Sequence, residues 1–133
     1  SPPPVQQSDR DAKKLYSESY DHVKARRYEK AITGFTQFVE RFPNHSYADN
    51  AVYWMGECYY DRGLWLKALS LFQQVISSYP LGNKSPDAML KLGLCHQQLR
   101  NYSQARDVLT QLTQIYADNP VASIAKTRLE QLP

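Results

Sequence analysis

The chain is short of glycine, cysteine, long apolar runs and net charge, and each shortage removes a class of protein. There are five glycines in 133 residues, and no segment alternates apolar and polar residues between hairpin turns, which argues against a sheet protein. No stretch approaches the ~18 consecutive apolar residues that a spanning helix needs, so no direct membrane span is expected. A formal charge of +3 is too small to point to nucleic acid. The nearest approach to a basic cluster, Lys24, Arg26 and Arg27, reads as one helix end, where cations suit the dipole.

Chemistry is equally thin. His22, His45 and His96 form no i, i+4 pair and Cys58 and Cys95 no CxxC motif, so no metal site is expected. Cys95 and His96 are neighbours on one helix and face different directions, which rules against a nucleophilic pair. No glycine-rich phosphate loop and no paired-carboxylate motif is present. The chain therefore reads as a non-enzyme without a cofactor.

What is there is a repeat. Ala31, Ala68 and Ala105 are spaced 37 residues apart, and so are Phe35, Phe72 and Leu109. The same step links Phe38 to Val75 and Leu112, and Gly56 to Gly93. A period in this range is the signature of a stacked array, and arrays build extended surfaces that hold other proteins. Cys58 and Cys95 are one repeat apart. Equivalent residues on stacked helices lie roughly 8–10 Å apart, beyond the ~7 Å between Cα atoms that a disulfide tolerates, so two free buried thiols are expected.

Apolar residues recur at helical spacing in each segment, as in Phe35, Phe38, Val39 and Phe42. Residues 1–8 read as an extended, proline-rich linker remnant, cut from a longer precursor, and Ser8 or Asp9 as the cap of a first helix. Ser46 with Asp49 resembles a capping box, and Gly63 a left-handed helix stop. Ser85-Pro86 and Asn119-Pro120 each read as an N-cap followed by proline at the first helical position. The expected architecture is all-α: a right-handed α-solenoid occupying residues 9–133, with helix–turn–helix units at about 12–45, 46–82 and 83–118 and a capping helix at 119–132. Small residues on both helices of a unit (Ser19 with Ala31, Gly56 with Ala68, Gly93 with Ala105) mark where the antiparallel partners cross.

At these positions the chain resembles the tetratricopeptide repeat. Gly56, Tyr59, Ala68, Phe72, Val75 and Pro80 match that motif in register, and Ala117 stands where its proline is expected in the third unit. Repeats of that kind run to about 34 residues, so each unit here carries about three more, in the loops at 44–49 and 81–87. The strings FPNHSYADNAVYWMGECYYDRG and ALSLFQQVISSYPLGNKSPDAMLKLG are similar to the C-terminal domain of the Tol–Pal-associated periplasmic cell-division coordinators of Gram-negative bacteria. That resemblance implies a periplasmic adaptor that associates with the inner-membrane protein TolA and helps couple outer-membrane constriction to the peptidoglycan synthesis machinery. It also implies oligomerisation through an N-terminal coiled coil that this sequence does not include. Two other settings fit the repeat: an outer-membrane assembly lipoprotein-type scaffold, and a regulatory module of an envelope enzyme.

In tetratricopeptide arrays the first helix of each unit lines the concave face. Matching those positions gives a candidate partner-binding groove of Tyr16 and Tyr20, then Asn50, Tyr53, Glu57 and Tyr60, then Asp87, Leu90 and Leu94. Lys13, Lys24, Gln97, Ile124 and Thr127 extend the same face. Tyrosine offers contact area at low entropic cost, and an asparagine amide can both donate to and accept from a peptide backbone. Trp65 reads as turn packing, His22 and His96 as occupants of an aromatic packing slot, and His45 as a solvated loop residue. Trp54 fits interface and core equally.

Overall fold

The computed structural model describes residues 4–133. Seven helices follow one another: α1 Pro4–Lys24, α2 Tyr28–Arg41, α3 Ala48–Asp61, α4 Trp65–Ser78, α5 Ser85–Gln98, α6 Tyr102–Ile115 and α7 Pro120–Gln131. Each packs on the next, and α1 also touches α3, as α5 touches α7. Pairs α1/α2, α3/α4 and α5/α6 are the three expected helix–turn–helix units, and α7 closes the end of the α-solenoid. The odd-numbered helices therefore form one layer and the even-numbered helices the other.

The tight turn inside each unit is built the same way three times. Arg26, Gly63 and Arg100, each one repeat from the next, adopt positive φ of 58°, 73° and 63°. At each turn the following amide reaches back a full turn: Arg27 N to His22 O at 2.8 Å, Leu64 N to Tyr59 O at 3.0 Å, Asn101 N to His96 O at 2.8 Å. This is the Schellman arrangement, which satisfies carbonyls that the helix end leaves free. Gly63 is the left-handed stop expected from the sequence; at the other two turns arginine holds a conformation that glycine takes without strain.

Small residues set the crossing within each unit, with one exchange of partners. A Cβ added to Gly56 would stand 2.7 Å from the Phe72 ring, and one added to Gly93 would stand 2.6 Å from Leu109. Both glycines are therefore close-approach positions, and the even helix fills the space they leave. In the first unit the equivalent residue is Ser19, which is buried, and a Cβ on Gly34 would fall on its hydroxyl. Later units have Leu71 and Val108 where the first has Gly34. The extra volume of Ser19 on α1 is thus matched by a deletion on α2. Ala31, Ala68 and Ala105 are fully buried beside these crossings.

Several expected helix starts differ. α1 begins at Pro4, so residues 4–8 are helical; residues 1–3 of the expected linker lie outside the described residues. Proline suits the first helical position because its missing N–H would be unbonded there, and Gln7 Nε2 donates to Asp11 Oδ1 at 3.0 Å across one turn. Ser46 does not cap α3; the N-cap position is Tyr47, with no side-chain cap bond. Ser85 is not the cap of α5 either. It is buried inside the helix, the cap position is Lys84, and Pro86 lies within the first two helical positions. Tyr116 Oη donates to the Ser85 hydroxyl at 3.2 Å, so that serine serves packing within the third unit, tying the start of α5 to the end of α6. Asn119 does cap α7: its side chain accepts from Val121 N at 3.0 Å, and Pro120 opens the helix.

The buried side chains form two clusters. One runs through the first two units and ends at Leu92 and Cys95, with Phe35, Phe38 and Phe72 fully buried. The other joins Leu109 and Leu112 to Val121, Ala122 and Ala125 of α7. Tyr60 and Ile76 pack against both. Cys58 and Cys95 are free and buried, and burial pushes each thiol up to about 12, which leaves them unreactive at neutral pH.

Candidate functional site

The nine groove positions lie on α1, α3 and α5, and the structure joins most of them into two groups. In the first, Tyr16 and Tyr20 stack with ring centroids 6.5 Å apart, and Tyr20 lies 5.0 Å from Trp54. Trp54 Nε1 donates to Tyr16 Oη at 3.0 Å. Tyr53 meets Trp54 edge-on and sits 5.5 Å from Phe72. Trp54 is therefore a half-buried member of the α1–α3 seam, hydrogen-bonded at one end and flanked by the rings of Tyr20 and Tyr53. Lys84 Nζ lies 5.2 Å from the Tyr53 ring and 5.6 Å from Trp54, within reach of a cation–π attraction.

The second group bridges α3 and α5. Lys91 Nζ is 3.2 Å from Glu57 Oε1, an ion pair that joins α3 to α5. The same ammonium sits 4.4 Å from the Tyr60 ring. Burial raises the Glu57 carboxyl above its usual range despite Lys91. A raised folded-state value means the ionised group works against folding once pH exceeds the ordinary carboxylate range. Tyr60 in turn packs against Trp65 at 5.0 Å, as expected for a turn aromatic.

Exposure divides the nine. Tyr53, Leu90 and Leu94 are buried, Leu90 and Leu94 within the second cluster; they stiffen the wall. Tyr16, Tyr20, Asn50, Glu57, Tyr60 and Asp87 keep part of their surface open. Asn50 is held on two sides, its Nδ2 donating to Asp49 Oδ1 at 2.8 Å and to Asn83 Oδ1 at 3.1 Å. Its carbonyl oxygen accepts no hydrogen bond among the described residues.

His45 is not solvated. Its side chain is 13% exposed, with Nε2 2.7 Å from Asp9 Oδ1, and its ring meets Phe38 and Tyr47 edge-on. Nδ1 accepts from Tyr47 N at 3.0 Å, so the neutral ring carries its proton on Nε2 and donates it to Asp9. That bond, followed by one from Lys13, holds the Asp9 carboxyl below its usual range. The loop at 42–47 is thereby fastened to α1. His22 accepts from Arg27 Nε at 2.9 Å, while burial lowers the His96 imidazole and leaves its Nδ1 without a hydrogen bond.

The fastened loop and the loop at 79–83 wall a cleft of about 850 Å³ whose lining includes Tyr16, Tyr47, Asp49, Asn50 and Tyr79. Only Tyr16 and Asn50 of the nine groove residues reach it. The sequence signal for this cleft is the pair of lengthened loops, which carry no motif of their own. Among the described residues no group of three or more His, Cys, Asp or Glu side chains stands close enough to hold a metal ion, and no helix is long and apolar enough to cross a membrane.

The family model for the tetratricopeptide repeat matches residues 47–118, and a second model of the same description matches residues 15–45. The chain belongs to the tetratricopeptide repeat family. It is similar over 45 residues, at 40% identity, to the cell division coordinator CpoB of Pseudomonas putida; the match covers 34% of this chain and 17% of that protein. Among solved structures it is similar to PcrH of Pseudomonas aeruginosa (19% identity, TM-score 0.77, 91% of this chain and 90% of that one). The Arabidopsis OM64 tetratricopeptide domain is also similar (14% identity, TM-score 0.73, 90% and 94% covered). Likenesses at these identities show the shared fold. This tetratricopeptide chain stacks its helices in two layers, with aromatic and polar side chains presented along the odd-numbered one.

Proposed function

We propose that this scaffold is the partner-docking domain of a periplasmic cell-division coordinator, and that it receives a segment of TolA along the groove formed by α1, α3 and α5. The observation that carries this reading is the 45-residue match at 40% identity to CpoB, in line with the family-like strings in residues 42–63 and 68–93. The partly open tyrosines Tyr16, Tyr20 and Tyr60, with Asn50, Glu57 and Asp87, supply the contacts. Tyr53, Leu90 and Leu94 support them from behind. A peptide helix or strand laid across these residues would meet a preformed surface, which lowers the ordering cost of binding.

The test is a calorimetric titration of this chain with the periplasmic part of TolA from the same organism, repeated with Tyr20→Ala/Tyr60→Ala. Saturable binding that weakens at least tenfold in the double variant supports both the partner and the groove. Binding of equal strength in the variant moves the site off the groove. No heat of binding with the unaltered chain at several temperatures would remove TolA as the partner.

A further inference from the structure

The cleft between the two lengthened loops holds a carboxylate in an unusual setting. Asp49 is 5% exposed and takes part in none of the ion pairs of the described residues. Its Oδ1 accepts from Asn50 N at 2.7 Å and Asn50 Nδ2 at 2.8 Å. Among the described residues only Oδ1 is hydrogen-bonded, and a Cβ on Gly82 would fall on Oδ2. Gly82 thus leaves the second carboxylate oxygen facing the cleft. The charge is felt by the neighbouring phenols: burial first, and Asp49 next, raise Tyr79.

The walls suit the same kind of guest. Tyr16, Tyr47 and Tyr79 line the cleft, and aromatic faces attract cations most strongly where water is scarce. Leu81, 99% exposed, stands at the rim beside Pro80 as an apolar contact for a neighbouring residue of a guest chain. Lys84, next to the cleft-lining Asn83, is drawn to Tyr53 and Trp54. The arrangement does not recur along the array: the residue one repeat after Asp49 is Pro86, and the one after Tyr47 is Lys84. A buried carboxylate left half-bonded costs stability, and a cationic guest would offset that cost.

We propose that this cleft is a specificity pocket for one lysine or arginine side chain of the partner segment, with Asp49 Oδ2 as its counter-ion and the three tyrosines as its walls. The proposal rests on the scaffold reading alone and not on TolA. A partner in the groove needs a basic residue where its chain passes the α3 N-terminus, and the lengthened loops exist to frame that residue.

The test uses a blocked lysine, N-acetyl-lysine-N-methylamide, and its neutral analogue made from norleucine, titrated into the whole chain while the amide resonances of Asn50, Gly82 and Asn83 are followed. The lysine probe is expected to shift these three resonances saturably in the millimolar range, more weakly as salt rises, and the norleucine probe is expected to leave them in place. Asp49→Asn should weaken the lysine probe at least fivefold while keeping the Oδ1 acceptor. Gly82→Ala, which keeps the charge but fills the space before Oδ2, should do the same. Equal shifts with both probes, or none with either, would overturn the pocket from the unaltered protein alone, even if a variant failed to fold. Lysine binding with no response to TolA would keep the pocket and remove the partner; TolA binding without a lysine response would do the reverse.

Discussion

Arg26 and Arg100 hold a left-handed backbone conformation that costs a residue with a side chain about 1–2 kcal/mol. Gly63 occupies the same turn one repeat away from each and escapes that cost. Some of the gain from glycine is returned as unfolded-state entropy. Both arginines are exposed, so their replacement disturbs no core contact. Arg26→Gly and Arg100→Gly should therefore each stabilise the chain by about 0.5–1 kcal/mol, measured by urea unfolding. Both variants less stable than the parent would mean the arginine side chains contribute more to their turns than the backbone strain removes. The positions were open to the sequence reading, because the repeat that carries Gly63 also points to 26 and 100. What hid them is that the left-handed requirement belongs to the turn, while residue preference signals it only when glycine happens to stand there.

At the scale of the helix pair, Ser19 and Gly34 form one fitted joint. Gly34→Leu alone places a side chain against the Ser19 hydroxyl, which also donates to Leu15 O at 2.7 Å, and overpacking of this kind costs roughly 1–3 kcal/mol. Ser19→Gly/Gly34→Leu recreates the arrangement of the second unit, where Gly56 faces the helix that carries Leu71. The two changes should couple by about 1 kcal/mol or more in a double-mutant cycle; strict additivity would show that the crossing is not a shared volume. All seven helices, their order and their turns were legible from the 37-residue step and the helical spacing of apolar residues. Ser19 and Ala31, the small residues marked from the sequence, are both buried, but the part of Gly34 was missed, because spacing tells which positions are equivalent but not which side chains touch. Cap positions failed for a related reason. Ser46 and Ser85 have the right composition, yet the lengthened loops carry the chain into α3 and α5 through Tyr47 and Lys84, and burial then claims Ser85 for Tyr116. His45 looked like a loop residue open to water because its partner Asp9 lies 36 positions away. The groove was legible as a set of helix positions, whereas the cleft depends on contacts between two loops and on a glycine beside a carboxylate.

An array of this kind has no single centre, and its stability is close to a sum of unit and neighbour contributions. The two buried clusters make the division concrete, since α7 belongs to the one that holds Leu109 and Leu112. Without α7 the outer side of that cluster would lose Val121, Ala122 and Ala125 and would face water. Arg106 would also lose its bond to the Pro133 carbonyl at 2.7 Å. The first cluster touches none of these residues. Removing residues 119–133 should therefore lower the hydrogen-exchange protection of α5 and α6 by well over tenfold and change α1 to α4 far less. The shared residues Tyr60 and Ile76 set how far the loss travels, so amides of α3 and α4 next to them should respond before those of α1. A uniform loss of protection from α1 to α6 would instead mark the chain as one cooperative unit, with the seam of α1, α3 and α5 from Tyr20–Trp54 to Glu57–Lys91 strong enough to tie every repeat to its neighbours.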